Sequence, residues 1–435
     1  MDTVTRRDFL RTSAAVAGST AAAVALQRTV HAQGSDTLKV GLIGCGGRGT
    51  GAAAQFLGAN KGNQLVAMAD IFPERLDGSL KNLQTQRKEQ VRVDDDHRFV
   101  GLDAWRHVID SDADVILIAC ASKFHPMYTL AALEAGKHVF CEKPHAIDAS
   151  GVAVLRQATQ LADEKKLCYA SGLMSRYSPM LQELAKRIQD GMIGDILAAR
   201  GNFLRAPYVV RTKQESDSET RYQFRNWYHF KWLSGDDVPQ SLVHNMDRIA
   251  MFLGEVQPVR ARGFGGRSAS FGYQYGDQFD HNVVFYEYDN GMQTYAACTQ
   301  QAGCSGGVQE FLFGSKGRME HYRLVDLDGK ELWSYQGKRT NWHSEVQVAL
   351  SKAIREGEHI NNGNYAAEST LTCILGQVAC YTGRRYKRDY ITHTNFRYGP
   401  EPKACSFEME APSKLGPDGQ YLVPVPGKTS IENLV

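Results

Sequence analysis

The chain has 435 residues, with 50 Lys and Arg against 48 Asp and Glu, so its formal net charge is only +2. That near-balance, with the basic residues scattered, argues against nucleic acid or an anionic membrane as a partner. The nine cysteines show no metal-like pairing; Cys45, Cys120, Cys141 and Cys168 sit in apolar runs where cysteine acts as a small hydrophobe, so neither a disulfide framework nor a bound metal is expected.

The N-terminus reads as an address. Thr5-Arg6-Arg7-Asp8-Phe9-Leu10-Arg11 precedes a mildly apolar run over residues 13–26, which resembles a twin-arginine export signal. The run is too short to span a bilayer comfortably. Val30-His31-Ala32 supplies the small residues a signal peptidase prefers, so residues 1–32 are expected to be cleaved. The expected partner is the twin-arginine machinery, which would export the folded protein to the periplasm or beyond. The remaining chain, about 400 residues, is long enough for two domains, each with its own core.

The first domain, residues 33–172, opens on an apolar strand that runs into Gly44-x-Gly46-x-x-Gly49. At a dinucleotide site the first glycine allows the tight turn, the second lets backbone approach the pyrophosphate, and the third lets a helix pack on the strand. Gly47 and Arg48 lie inside this turn, and Arg48 is read as a phosphate partner. Residues 65–70 form a second buried strand ending in Asp70, at the spacing of a ribose-binding carboxylate. Asp70 favours NAD; Arg75, five residues on, leaves NADP open. Residues 113–119 read as a buried parallel strand, residues 127–135 as a helix closed by Gly136, and residues 139–141 as a strand delivering Glu142-Lys143-Pro144. A helix over 151–166 and a strand over 167–170 complete the alternation, which implies a doubly wound parallel sheet.

The second domain, residues 173–398, starts with a helix capped by Ser178-Pro179 and ended by Gly191. Strand-like runs dominate from Ala198 onward. The clearest pair, residues 281–288 and 292–299, is joined by Asp289-Asn290-Gly291, a strong hairpin signal. Val346, Ala349, Leu350, Ala353 and Ile354 share one helix face. Residues 399–435 hold six of the thirteen prolines and are expected to form an extended tail.

Four motifs carry a resemblance. The glycine turn with Asp70, the strand end Ala119 to His125 with Glu142-Lys143-Pro144, the stretch from Gly235-Asp236-Asp237 to His244-Asn245-Met246-Asp247, and Ala367-Glu368-Ser369 with Tyr381-Thr382-Gly383 together resemble the Gfo/Idh/MocA family (glucose–fructose oxidoreductase and inositol dehydrogenase). The likeness runs from about residue 39 to about residue 388. It implies a Rossmann domain followed by an α+β domain with an open, mainly antiparallel sheet, and a homo-oligomer. It also implies that His125, Glu142 and Lys143 lie at the cofactor, which is NAD or NADP, held in one version of this reading so tightly that it cycles between two substrates.

Oxidising a secondary alcohol sends a hydride to nicotinamide and a proton to a base. Lys143 stands at a strand carboxyl end, where its ammonium can hold the hydroxyl and stabilise alkoxide; His244, whose imidazole titrates near neutrality, is the candidate base. The resemblance gives both the same places. The family's usual acid four residues before this histidine is Gln240 here, which can hydrogen-bond a sugar but carries no proton charge. Arg176, Trp227 and Tyr228 complete the expected substrate cleft, because aromatic faces suit a sugar ring. The sequence therefore points to an exported NAD(P)-dependent oxidoreductase acting on a sugar or polyol. The alternative is an NAD-dependent glycosidase working by transient oxidation and elimination; glycosidases of this family lack the lysine, so Lys143 favours the dehydrogenase.

Overall fold

The computed structural model describes residues 37–434, so the expected signal peptide at 1–32 lies outside the described residues. Six strands, β1 (Leu38–Ile43), β2 (Asn63–Asp70), β3 (Arg98–Val100), β4 (Val115–Ile118), β5 (His138–Cys141) and β6 (Tyr169–Ser171), form one parallel sheet in the order β3-β2-β1-β4-β5-β6. Helices α1 (Gly47–Ala59), α2 (Pro73–Arg87), α3 (Ala104–Asp110), α4 (His125–Glu134) and α5 (Ala149–Lys165) connect them. A sheet covered on both faces needs apolar side chains on both, and all four residues of β4 are buried. Strand β3 escapes detection in the sequence because it is a three-residue edge strand, largely half-buried and without an apolar run. The strand order reverses between β1 and β4, paired from Val40 with Val115 to Ile43 with Ile118. At such a switch point the strand carboxyl ends open a crevice for ligands.

Local signals set the helix ends. Asp148 caps α5 by accepting from the Gly151 N–H, and Ser178 caps α6 (Pro179–Gln189) by accepting from Leu181 N–H. Gly136 and Gly191 take left-handed conformations just beyond their helices.

The second sheet has nine strands: β7 (Ile196–Arg205), β8 (Arg260–Gly266), β9 (His281–Glu287), β10 (Gln293–Gln300), β11 (Gly307–Gly314), β12 (Gly317–Glu320), β13 (Arg323–Asp326), β14 (Glu331–Trp333) and β15 (Tyr386–Lys387). Their order is β14-β13-β12-β11-β7-β10-β9-β8-β15, antiparallel throughout except for β7 with β10. Strand β9 alternates buried and half-buried positions, as expected for a sheet with one covered face. The hairpin from β9 to β10 turns at Gly291, whose positive φ the turn requires. After α7 (Glu219–Arg225), two helices, α8 (Val243–Phe252) and α10 (Gly363–Thr382), cover the inner face; between them in sequence, α9 (Trp342–Glu356) crosses to the first domain. There Ser351 and Arg355 hydrogen-bond Asn63 at the start of β2. The segment after Gly399 contains only short turns, yet Ala411, Tyr421, Ile431 and Leu434 are buried, and Ser413 donates to Asp277 at 2.6 Å. The proline-rich tail is extended and packed down.

Helix α8 is fixed to the sheet by a buried charge network. Arg248 pairs with Glu310 on β11, and Glu310 also accepts from Asn245 and from the Tyr322 hydroxyl at 2.8 Å. Glu310 and Arg248 are both buried, so removing the guanidinium would leave an uncompensated carboxylate. Arg248→Met should destabilise the protein by about 3–5 kcal/mol, measured by urea unfolding; a loss near zero would show that the pair does not anchor this helix.

Candidate active site

The glycine turn divides its labour as three different spaces. Gly44 has φ +94°, and a Cβ there would stand 2.5 Å from the Cys120 amide nitrogen at the end of β4. A Cβ on Gly49 would lie 1.8 Å from the Gly44 carbonyl oxygen. These two glycines are demanded by the protein itself. Gly46 is different: a Cβ there would meet only the Arg75 guanidinium, at 3.9 Å, and one on Gly47 would meet nothing within 4 Å. That open side faces the start of α1, which has no capping side chain and no acid in its first turn. Its free N–H groups and positive dipole end suit a phosphate.

Asp70 ends β2 beside this turn. Its carboxylate accepts from the Cys45 N–H at 2.7 Å and from the Phe72 N–H at 3.0 Å. Burial pushes its pKa up, against these two N–H groups and the charge of Arg75. A cavity of about 320 Å³ runs from Gly44, Gly46 and Arg48 past Asp70 to Leu102 and Trp105. Its far wall comes from the second domain: Tyr208, Arg211, Trp227 and Tyr228 line the same space. Trp227 stacks on Tyr228 at 3.9 Å and Tyr228 on Tyr208 at 4.2 Å. Trp227 and Tyr228 thus share the cavity of the glycine turn. The uncovered Gly46, the uncapped helix and the strand-end carboxylate fit a dinucleotide.

Glu142 and Lys143 leave β5 next to it. Glu142 is buried and its carboxylate sits 2.9 Å from Arg48 Nε. Burial raises the Glu142 pKa, while Arg48 and Lys143 oppose that rise. Lys143 Nζ donates to the Gln240 carbonyl oxygen at 2.6 Å. His244, on the first turn of α8, is buried with Nδ1 unpartnered and its ring stacked near Phe203. Burial, then the nearby charges of Lys143 and Arg248, hold its pKa well below the usual imidazole value. Lys143 is thus bonded to the backbone four residues before His244, although 97 residues separate it from Gln240 in sequence.

Four expected roles change. Arg176 does not face a cleft: it grips Asp247 at 2.8–3.1 Å and also pairs with Glu255. A guanidinium so nearly enclosed satisfies itself on buried carboxylates. The Gln240 side chain is likewise spent, donating to Ser122 Oγ at 2.8 Å and the Ser234 carbonyl at 2.9 Å; only its backbone oxygen reaches Lys143. His125 is buried, with its ring nitrogens 2.8 Å from the Pro144 carbonyl and 3.1 Å from that of Cys120, so it braces two strand-end loops behind the cavity. Arg48 lines the cavity but its charge is engaged by Glu142, and Nη2 donates to Gln55 at 2.7 Å.

Three residues escaped the sequence reading. Tyr208 and Arg211 lie in a segment without periodicity, and His343 opens α9; its pKa is held down to about 4 by burial and the charges of Arg48 and Lys143. Only tertiary contact reveals them.

Residues 38–173 match a family described as "Oxidoreductase family, NAD-binding Rossmann fold", and residues 185–372 match "Oxidoreductase family, C-terminal alpha/beta domain". The chain belongs to the Gfo/Idh/MocA oxidoreductase family. Its first domain is an NAD-binding Rossmann domain, and its relatives differ in chemistry. Inositol 2-dehydrogenase of Acidothermus cellulolyticus is 29% identical over 226 residues, 52% of this chain and 56% of that protein. Glycosyl hydrolase family 109 protein 1 of Bacteroides fragilis is 28% identical over 171 residues, 39% of this chain and 35% of that protein. This Gfo/Idh/MocA chain thus spans about half, or less, of the length of the sequence relatives it matches. In fold it resembles aldose-aldose oxidoreductase from Caulobacter crescentus complexed with glycerol, with a TM-score of 0.62 at 19% identity, covering 81% of this chain and 99% of that one. Levoglucosan dehydrogenase with NADH and levoglucosan gives a TM-score of 0.61 at 19% identity over the same shares.

The site's histidines make stability depend on pH. Burial holds His125 and His229 down to about 4, as it does His343, and His145 down to about 3, against an ordinary 6.5. Below pH 6.5 the unfolded chain binds protons that the folded chain refuses, so this stability is complete above 6.5 and is lost as pH falls toward 4. Asp236, pushed up to about 7 by burial, acts in the opposite sense over the same window. Asp70, Glu142, Asp148 and Asp247, also raised by burial, share that sense, whereas His244 and the lowered carboxyls of Asp217, Glu219 and Asp280 act with the four imidazoles. The urea midpoint should fall steadily between pH 6.5 and 4.5, and a flat or rising midpoint on acidification would contradict the neutral, buried state of these rings.

Proposed function

We propose that this protein oxidises a secondary alcohol of a sugar or polyol, with NAD as the hydride acceptor. The observation that carries the reading is the Lys143 ammonium at a strand carboxyl end, bonded to the Gln240 carbonyl four residues before His244. Gly46, Gly47 and the start of α1 would hold the diphosphate, and Asp70 the ribose hydroxyls. A nicotinamide held by these residues would supply the hydride acceptor for the carbinol carbon. The Lys143 ammonium can trade its bond to the Gln240 carbonyl for one to the substrate oxygen, stabilising the charge that develops as the proton leaves. His244 stays neutral because of its burial and the cationic neighbours, so it is in the form that accepts a proton. A negative oxygen arriving beside it raises its proton affinity when transfer requires it. Tyr208, Trp227 and Tyr228 form an aromatic wall facing the glycine turn.

A second reading is supported by the glycosyl hydrolase relative: transient oxidation of a sugar, elimination of its aglycone and return of the hydride. Lys143→Ala and His244→Ala should each keep dinucleotide affinity nearly intact and lower turnover about 10²–10⁴-fold, followed by single-turnover absorbance of the reduced cofactor. Cleavage of a nitrophenyl glycoside with no net reduction, equally fast in Lys143→Ala, would replace the dehydrogenase reading with the glycosidase.

We also propose export through the twin-arginine route, supported by Arg6 and Arg7 before the apolar run, and a homo-oligomer, supported by the exposed Phe264, Tyr295 and Phe313 on the second sheet. The mature protein should begin near Gln33, and replacing both Arg6 and Arg7 by lysine should retain it in the cytoplasm on cell fractionation. Unchanged export of that variant would remove the route from consideration.

A further inference from the structure

Two guanidiniums flank the open end of α1. Arg75, on the first turn of α2, lies beside Gly46 and donates to the Arg225 carbonyl at 3.2 Å. Arg211 comes from the second domain, between β7 and α7. It lines both the 320 Å³ cavity and an outer groove of about 680 Å³, and the two spaces meet at Gly46, Gly47 and Arg75. Its backbone is pinned, since its N–H donates to Asn226 Oδ1 at 2.8 Å. Its side chain is exposed and, among the described residues, has no ion pair. The nearby acids are already engaged. Asp217 and Glu74 pair with Arg225, and Asp70 accepts two backbone N–H groups.

Arg75 and Arg211 are close enough to repel one another. Two like charges held together over an uncapped helix start leave a local excess of positive charge, which an anion between them would relieve. Arg211 is the member of the pair whose guanidinium is uncommitted.

We propose that Arg211 is a phosphate ligand of the bound dinucleotide, reaching across from the second domain to close the site over the glycine turn. The inference rests on the dinucleotide reading of the cavity. A guanidinium meets a phosphate through charge-assisted, often bidentate, hydrogen bonds, and the group in question is either the diphosphate over Gly46 or the 2′-phosphate that NADP would place near Asp70.

The test is calorimetric titration of the full mature protein, freed of cofactor, with ADP-ribose, adenosine, NAD and NADP. Arg211→Ala should weaken ADP-ribose and NAD about tenfold or more, leave adenosine unchanged, and reduce the salt dependence of ADP-ribose binding. Arg211→Lys should restore part of the loss. A loss confined to NADP would assign Arg211 to the 2′-phosphate, still as a phosphate ligand. Equal affinity and equal salt dependence for all four ligands in Arg211→Ala would overturn the proposal while leaving the dinucleotide reading intact. If the unaltered protein binds neither ADP-ribose, NAD nor NADP, the dinucleotide reading fails and takes this inference with it.

Discussion

A carboxylate taken out of water costs several kcal/mol unless a cation meets it. Glu142 meets Arg48 at 2.9 Å, and that ion pair sets the geometry of everything around it. Arg48 belongs to the glycine turn and Glu142 follows the end of β5, so the pair ties the glycine turn to the residue that precedes Lys143. The Lys143 ammonium reaches the Gln240 carbonyl, four residues before His244. The charges stand in sequence: Arg48 compensates Glu142, Lys143 depresses the proton affinity of His244, and Arg48 and Lys143 do the same to His343.

The second domain contributes half of the cavity wall. The segment from Tyr208 to Tyr228 stands over the first domain because Arg225 bridges Asp217 in its own segment and Glu74 on α2. Phe407 from the tail packs against Phe72 and Phe224, adding an apolar contact to the ionic one. The tail therefore belongs to the architecture of the site, since Thr220 also hydrogen-bonds the Met409 carbonyl at 2.6 Å. A Rossmann domain alone would present the glycine turn and Asp70 to open solvent. The cavity as a whole is lined by both domains.

Burial has a price in this site. The same desolvation that keeps the histidines neutral at physiological pH makes the fold sensitive to weak acid. Asp236 is held beside the Tyr381 hydroxyl and the Phe279 N–H in a left-handed backbone conformation just after Gly235. That turn leads the chain into the segment carrying Gln240 and His244.

The glycine turn, Asp70, the parallel strands and the β9–β10 hairpin were legible in sequence because each rests on short-range constraints: backbone conformations that favour glycine, apolar runs of strand length, and turn chemistry. Lys143 and His244 were singled out through motif resemblance. The fates of Arg176 and Gln240 were not legible. Each is a polar side chain that could face a cleft or a buried partner, and the choice was made by Asp247, 71 residues from Arg176, and by Ser122, 118 residues from Gln240. Arg211 and His343 gave no local signal for the same reason, since their meaning is the charge they face across the fold. Sequence by itself determined most strands and helices of the first domain, the clearest hairpin of the second and where the glycine turn lies. Only the tertiary structure decided which polar groups keep free valence for a ligand, because desolvation makes every buried group seek its nearest partner, however distant that partner is along the chain.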